Sequence, residues 1–160
     1  MQVKSYNRQS AVEYALKWAN ARNSAYYNFD SIGGDCTNFA SQCIFTGAKI
    51  MNFTLDFGWY YRNLNDRAPA WTGVEYLYKF LINNKSVGPF ARVVAQNEAQ
   101  IGDLIQLGNS NGNFYHSLII TQTEPYILIA AHTYDALNRP LLSYTYGNIR
   151  FLHIEAVRSW

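Results

Sequence analysis

Cysteine, histidine and charge are all scarce in this chain, and each scarcity excludes something. Among 160 residues the cysteines are Cys36 and Cys43 alone. If both sit on one helix, its axial rise parts them by roughly 10 Å, beyond the roughly 7 Å within which a disulfide closes. Two thiols at that spacing also make no zinc site, so a disulfide scaffold is excluded and no metal or other cofactor is expected. Charged residues are 15% of the chain, and 13 Lys and Arg against 11 Asp and Glu leave a formal charge of +2. The basic residues form no run, which argues against nucleic acid as a partner. No apolar run approaches the roughly 18 residues of a membrane span. The first residues, Met1 to Arg8, lack the apolar stretch of a secretion signal. The expected location is the cytoplasm or, where a signal has been removed, the cell exterior or cell wall. Oligomeric state is left open.

What is plentiful is apolar and aromatic side chain. An apolar fraction of 49% describes a compact chain with a real core, and the length fits one domain over residues 1–160. The 13 Tyr and 4 Trp suit a Tyr-rich core or a groove that holds sugar or peptide.

Residues from about Arg8 to Asn23 carry a helical apolar stripe of Ala11, Ala15, Trp18 and Ala19, with Val12 and Leu16 beside it, and Asn7 as N-cap. A loop with Tyr26, Tyr27 and Phe29 follows, either one wall of a cleft or a cover for that first helix. A second helix is predicted from Cys36 to about Phe45, with Gly47 as its left-handed stop. Cys36, Phe39, Ala40, Cys43 and Gly47 share one face of it. After the aromatic stretch Phe57 to Tyr61, Pro69 closes an irregular segment. Thr72 with Glu75 then forms a capping box for a third helix ending at Asn83 and Asn84. The period then changes to that of strands, predicted at Phe90 to Ala95, Leu104 to Leu107, Phe114 to Thr121, Tyr126 to His132 and Arg150 to Val157. Helices first and a strand meander after them imply an α+β fold, with the helices on one face of an antiparallel sheet.

The chemistry centres on Gly33–Cys43, where two glycines and Asp35 lead directly into Cys36 at a helix start. A helix N-terminus or a nearby histidine stabilises the thiolate, the reactive form of cysteine. His116 opens one strand and His132 closes the next. With the intervening loop symmetric about Glu124, residues 116 and 132 pair directly, their Cβ atoms roughly 4.5–5.5 Å apart, and a slip of one residue removes that pairing. Cys36 is then the nucleophile, His116 its proton acceptor and donor, and His132 the residue that orients His116, with Asp135 a competitor for that role. The Cys36 N–H, unpaired in the first helical turn, supplies an oxyanion donor. Asp35 either caps the helix or meets a positively charged substrate amine. Cys43 is assigned to packing, and His153 to structure without an identified partner.

These residues resemble a known family. D-C-T-N-F-A-S-Q-C, preceded by Y-Y-N-F-D-S-I-G-G, is similar to the putative amidase domain family, a bacterial branch related to the papain-like NlpC/P60 cysteine peptidases. The opening Y-N-R-Q-S-A-V-E-Y-A-L-K-W-A resembles the start of that domain, and I-G-D-L-I-Q-L, Y-H-S-L-I-I-T and A-H-T-Y-D-A-L-N-R-P-L follow in its order. The resemblance runs from about Tyr6 to Leu142. It implies a circularly rearranged papain-like α+β fold, with the nucleophile at a helix N-terminus packed on the antiparallel sheet. It also implies a cysteine, a histidine and a third polar residue, which fall on Cys36, His116 and His132. Thr37 and Asn38 stand where the broader group has Ser-Gly. The expected activity is a cysteine amidase or peptidase working through a thioester on peptide or peptidoglycan-type substrate, held by Asp35, Tyr27 and Trp59. The alternatives are a non-catalytic cell-wall binding module and a thioester-using acyltransferase.

Overall fold

A computed structural model describes residues 1–160. In chain order the elements are β1 (Gln2–Lys4), α1 (Arg8–Trp18), α2 (Cys36–Ala48), β2 (Tyr61–Asn63), β3 (Asp66–Arg67), α3 (Pro69–Thr72), α4 (Val74–Asn83), β4 (Gly88–Val94), β5 (Leu104–Gly108), β6 (Phe114–Gln122), β7 (Leu128–Ala131), β8 (Ala136–Pro140) and β9 (Asn148–Ser159). The fold is α+β. Its principal sheet is antiparallel throughout: β9 pairs with β4 along one edge and with β5 and β1 on separate stretches of the other, and β6, β7 and β8 follow β5 in order. No helix is long and apolar enough to cross a membrane.

α1 begins where its cap dictates, because Asn7 Oδ1 accepts the N–H of Ser10 at 3.0 Å. It is shorter than the stripe implied and ends at Trp18. α2 is longer than predicted and its stop is different. The left-handed residue after it is Lys49, at φ 63°, whose N–H bonds to the Phe45 carbonyl. Gly47 lies inside the helix for a steric reason. A Cβ there would stand 2.5 Å from the Tyr6 ring and 2.6 Å from the Asn7 carbonyl. Burial of α2 is also not confined to one face, since only Phe45 and Thr46 of its residues escape full burial. The expected third helix divides in two. Pro69 opens α3, Gly73 separates it from α4, and Thr72 accepts from Arg67 instead of capping. Glu75 pairs with Arg150 on β9, so no capping box forms. β1, the β2–β3 hairpin and β8 were not foreseen.

The helices cover one face of the sheet with the larger core, in which Trp59, Trp71, Phe39, Leu77 and Leu81 meet Leu104, Ile119 and Ala130. The other face is buried too. Ile105, Leu107, Leu118, Ile120 and Ile129 pack beneath Ile127 and Leu141. Two-sided burial explains why the central strands are nearly continuous apolar runs. Asp103, fully buried before β5, ties the start of α1 to β9. It accepts from Arg8 at 2.6 Å, His153 at 2.8 Å and the Ile154 N–H at 3.0 Å. His153 is thus a bracing residue with a definite partner.

Candidate active site

The loop before α2 is folded back on itself. Gly33 and Gly34 both take positive φ, 80° and 98°, a conformation that side chains with a Cβ rarely adopt. Gly34 and Ile32 donate their N–H groups to the Phe29 carbonyl. The N–H of Asp35 donates to Thr133 Oγ1 at 2.6 Å, joining this turn to the one after β7. The chain then enters α2 at Cys36, so the thiol occupies the first helical position.

Asp35 is 1% exposed and faces inward, away from any substrate. Oδ1 accepts from the Phe29 N–H and from Asn38, and Oδ2 lies 2.5 Å from His132 Nδ1. Arg22 approaches the same oxygen at 3.6 Å while pairing with Asp30 and Asp135. Burial pushes the Asp35 carboxyl up, but the hydrogen bonds from His132, Phe29 and Asn38 outweigh it and hold the group below its ordinary value. His132 is equally committed. Its Nε2 lies 2.7 Å from the Trp18 carbonyl at the end of α1, and its ring stacks on Phe39 at 3.8 Å.

The expected pairing of His116 with His132 does not occur. Ile119 faces Ala130 and Ile120 faces Ile129, with an irregularity between Ile120 and Gln122. Continued along the strands, that register sets Ser117, not His116, opposite His132. The offset is one residue, and it sends the two histidines to opposite faces of the sheet. The ladder then breaks off at His132, where Thr133 and Tyr134 take left-handed conformations. Asp135 does not orient His116 either, being bound to Arg22.

His116 and Cys36 nevertheless line one cavity of about 320 Å³. Thr133, Tyr134, Arg139 and Tyr144 complete much of its wall, and Gly33 and Gly34 also line it. The Tyr144 ring lies 6.0 Å from the His116 ring. Burial first, and the Arg139 charge second, lower the His116 imidazole from 6.5 to about 4. Burial raises the Cys36 thiol, and the Asp35 charge adds to the effect. Hydrogen bonds from the Ser117 backbone and from Thr37 offset it in part. Thr37 Oγ1 lies 3.8 Å from the sulfur and 2.9 Å from Ser117 Oγ. Thiol and imidazole are therefore both neutral at neutral pH. Both cysteines are free, and Cys43 is fully buried in the core.

Two further expectations fail on burial or position. Trp59 is 0% exposed, and its indole N–H donates to Ser41 Oγ at 3.0 Å, so it cannot touch a substrate. Tyr27 is exposed and packs edge-on against Phe29, and it does not line the Cys36 cavity. Of the cavity residues that the sequence did not mark, Tyr134 arrives through the β7–β8 turn, Arg139 on β8 itself and Tyr144 through the segment after it. Tyr134 and Arg139 lie in the stretch A-H-T-Y-D-A-L-N-R-P-L that carries the family resemblance, but no spacing within it points to the cavity. No group of three or more His, Cys, Asp or Glu side chains is arranged to hold a metal ion.

The model of a family described as the putative amidase domain matches residues 5–154. The chain is 33% identical over 139 residues to the uncharacterized protein YhbB of Bacillus subtilis, covering 84% of this chain. It spans 43% of the length of that relative. No solved structure matches it.

Proposed function

Because the chain belongs to the putative amidase domain family, we propose that it hydrolyses amide bonds with Cys36 as nucleophile and His116 as general base and acid. The observation that carries this reading is the shared cavity, in which the thiol at the first position of α2 and the imidazole of β6 both face the same space. His116 takes the thiol proton as the sulfur attacks the amide carbon. The oxyanion forms beside the first-turn N–H groups of α2, which have no intrahelical acceptor. Collapse to a thioester expels the amine with the proton held by His116. Water, deprotonated by the same imidazole, then releases the acid and restores the thiol. No third side chain hydrogen-bonds His116 in the resting site, so the catalytic unit is a pair. His132 is a positioning residue that acts through Asp35 on the entry to α2.

The papain-like, NlpC/P60-type arrangement is the finer reading of the α+β fold, supported by a cysteine-first helix packed against an antiparallel sheet. Bacterial cell-wall peptide is the proposed substrate on the same resemblance. Alkylation with iodoacetamide followed by peptide mapping tests the catalytic pair. Cys36 should label selectively over Cys43, and His116→Ala should slow that labelling by about tenfold or more. Equal labelling of the two cysteines would sink the assignment. For the substrate, digestion of purified peptidoglycan should release peptide fragments with the wild type and not with Cys36→Ala. Retained binding with no release would favour a binding module instead.

A further inference from the structure

Arg139 stands apart from the other charges around the site. The cavity lining contains no Asp or Glu, so its guanidinium is the sole formal charge facing the Cys36 cavity. No carboxylate pairs with it anywhere in the structure, unlike Arg8, Arg22, Arg62, Arg92 and Arg150. It is held in place all the same. Nε donates to Ser143 Oγ at 2.7 Å, Nη2 donates to the Ser143 carbonyl at 3.3 Å, and the guanidinium lies 3.7 Å from the centre of the Tyr144 ring. These contacts leave Nη1 without a protein acceptor. Beside it, the Tyr144 hydroxyl is buried with no hydrogen-bond partner. An arginine with a free N–H group and a tyrosine whose hydroxyl has no acceptor thus both line the cavity that also holds Cys36.

Resting on the amidase reading, we propose that Arg139 and the Tyr144 hydroxyl form a carboxylate subsite, and that the substrate is an amide bearing a free carboxylate close to the scissile bond. Arginine suits this task because its planar fork presents two N–H donors to the two oxygens of a carboxylate. The cavity volume, at the low end of the about 300–1,000 Å³ typical of ligand sites, admits a group of one or two residues beside the sulfur. An acidic or C-terminal residue of a peptide meets the requirement. A carboxylate bound there also opposes the charge that depresses His116, which makes the imidazole a better proton acceptor once substrate is seated.

Two reagents of nearly the same size separate this inference from the reading it rests on. Iodoacetate and iodoacetamide alkylate the same sulfur and differ in carboxylate against amide. The ratio of their rates at Cys36, divided by the ratio at a free thiol, should exceed one in the wild type. It should fall by roughly tenfold in Arg139→Gln and recover in part in Arg139→Lys. Tyr144→Phe should lower it by a smaller factor, and taking the ratio cancels any change in the intrinsic reactivity of Cys36 that removal of the Arg139 charge brings through His116. Cys36 that reacts with iodoacetamide in all forms, at a ratio indifferent to residue 139, overturns the carboxylate subsite and leaves the amidase reading standing. Cys36 inert to both reagents overturns the two together. Matched circular dichroism spectra and melting curves show that each variant is folded before its ratio is compared.

Discussion

His116 carries a measurable signature apart from turnover. Its imidazole titrates at about 4 in the folded chain against an ordinary 6.5. Between those values the unfolded chain binds a proton that the folded chain refuses, so stability falls as pH drops through this window and is unaffected by the group above it. The shift corresponds to about 3 kcal/mol. Urea unfolding at pH 7 and pH 4 should therefore show the wild type losing about 3 kcal/mol more than His116→Gln. Equal losses would mean that the ring is not held neutral. Other residues of the site were legible in the sequence to different degrees. Cys36 stood out because two glycines and a helix start surround it. Trp59 and Asp35 were misassigned because an aromatic or a carboxylate near a nucleophile has the same letter whether it faces substrate or core. Only the packing separates Trp59 in its bed of Trp71 and Phe80 from a cleft wall.

Between elements, the Asp35–His132 pair does the joining. It binds the entry of α2 to the turn after β7 and, through the Trp18 carbonyl, to the end of α1. Both side chains are 1% exposed, so neither has water to fall back on. Asp35→Ala should destabilise the protein by about 3–5 kcal/mol, because it strands His132 in the interior. His132→Ala should cost a similar amount by stranding the carboxylate. Denaturant titration at neutral pH measures both. A loss below about 1 kcal/mol in either would show that the pair is solvated after all. The elements themselves were largely foreseen from periodicity, and the failures have a common origin. Gly47 resembled a helix stop, but the ring of Tyr6, far off in sequence, is what demands a glycine there. The pairing of His116 with His132 failed because the hairpin is centred on Pro125, with Gln122 opposite Leu128, and an irregularity between Ile120 and Gln122 then moves the register by one residue, which nothing in I-I-T-Q announces. The short β1 and β8 pair only with strands distant from, or displaced against, the obvious meander.

Across the whole molecule, the sheet is covered on both faces, by helices on one and by the segments around Ile127 and Leu141 on the other. The cavity opens where these two coverings meet at one end of β6, which is why it draws residues from the α2 entry, the β7–β8 turn and the segment after β8. Its rim is therefore made largely of connections, while Cys36 stands on the deepest helix of the fold. Buried on nearly every side, α2 has no partial opening available to it. Its amides beyond the first turn should exchange with deuterium only when the whole domain unfolds, at the slowest rate in the protein. Faster exchange there than in β5 and β9 would show that α2 loosens separately. Heat should accordingly open Cys43, fully buried on α2, to alkylation at the temperature at which the fold is lost, so that a denatured fraction measured by either probe is the same number.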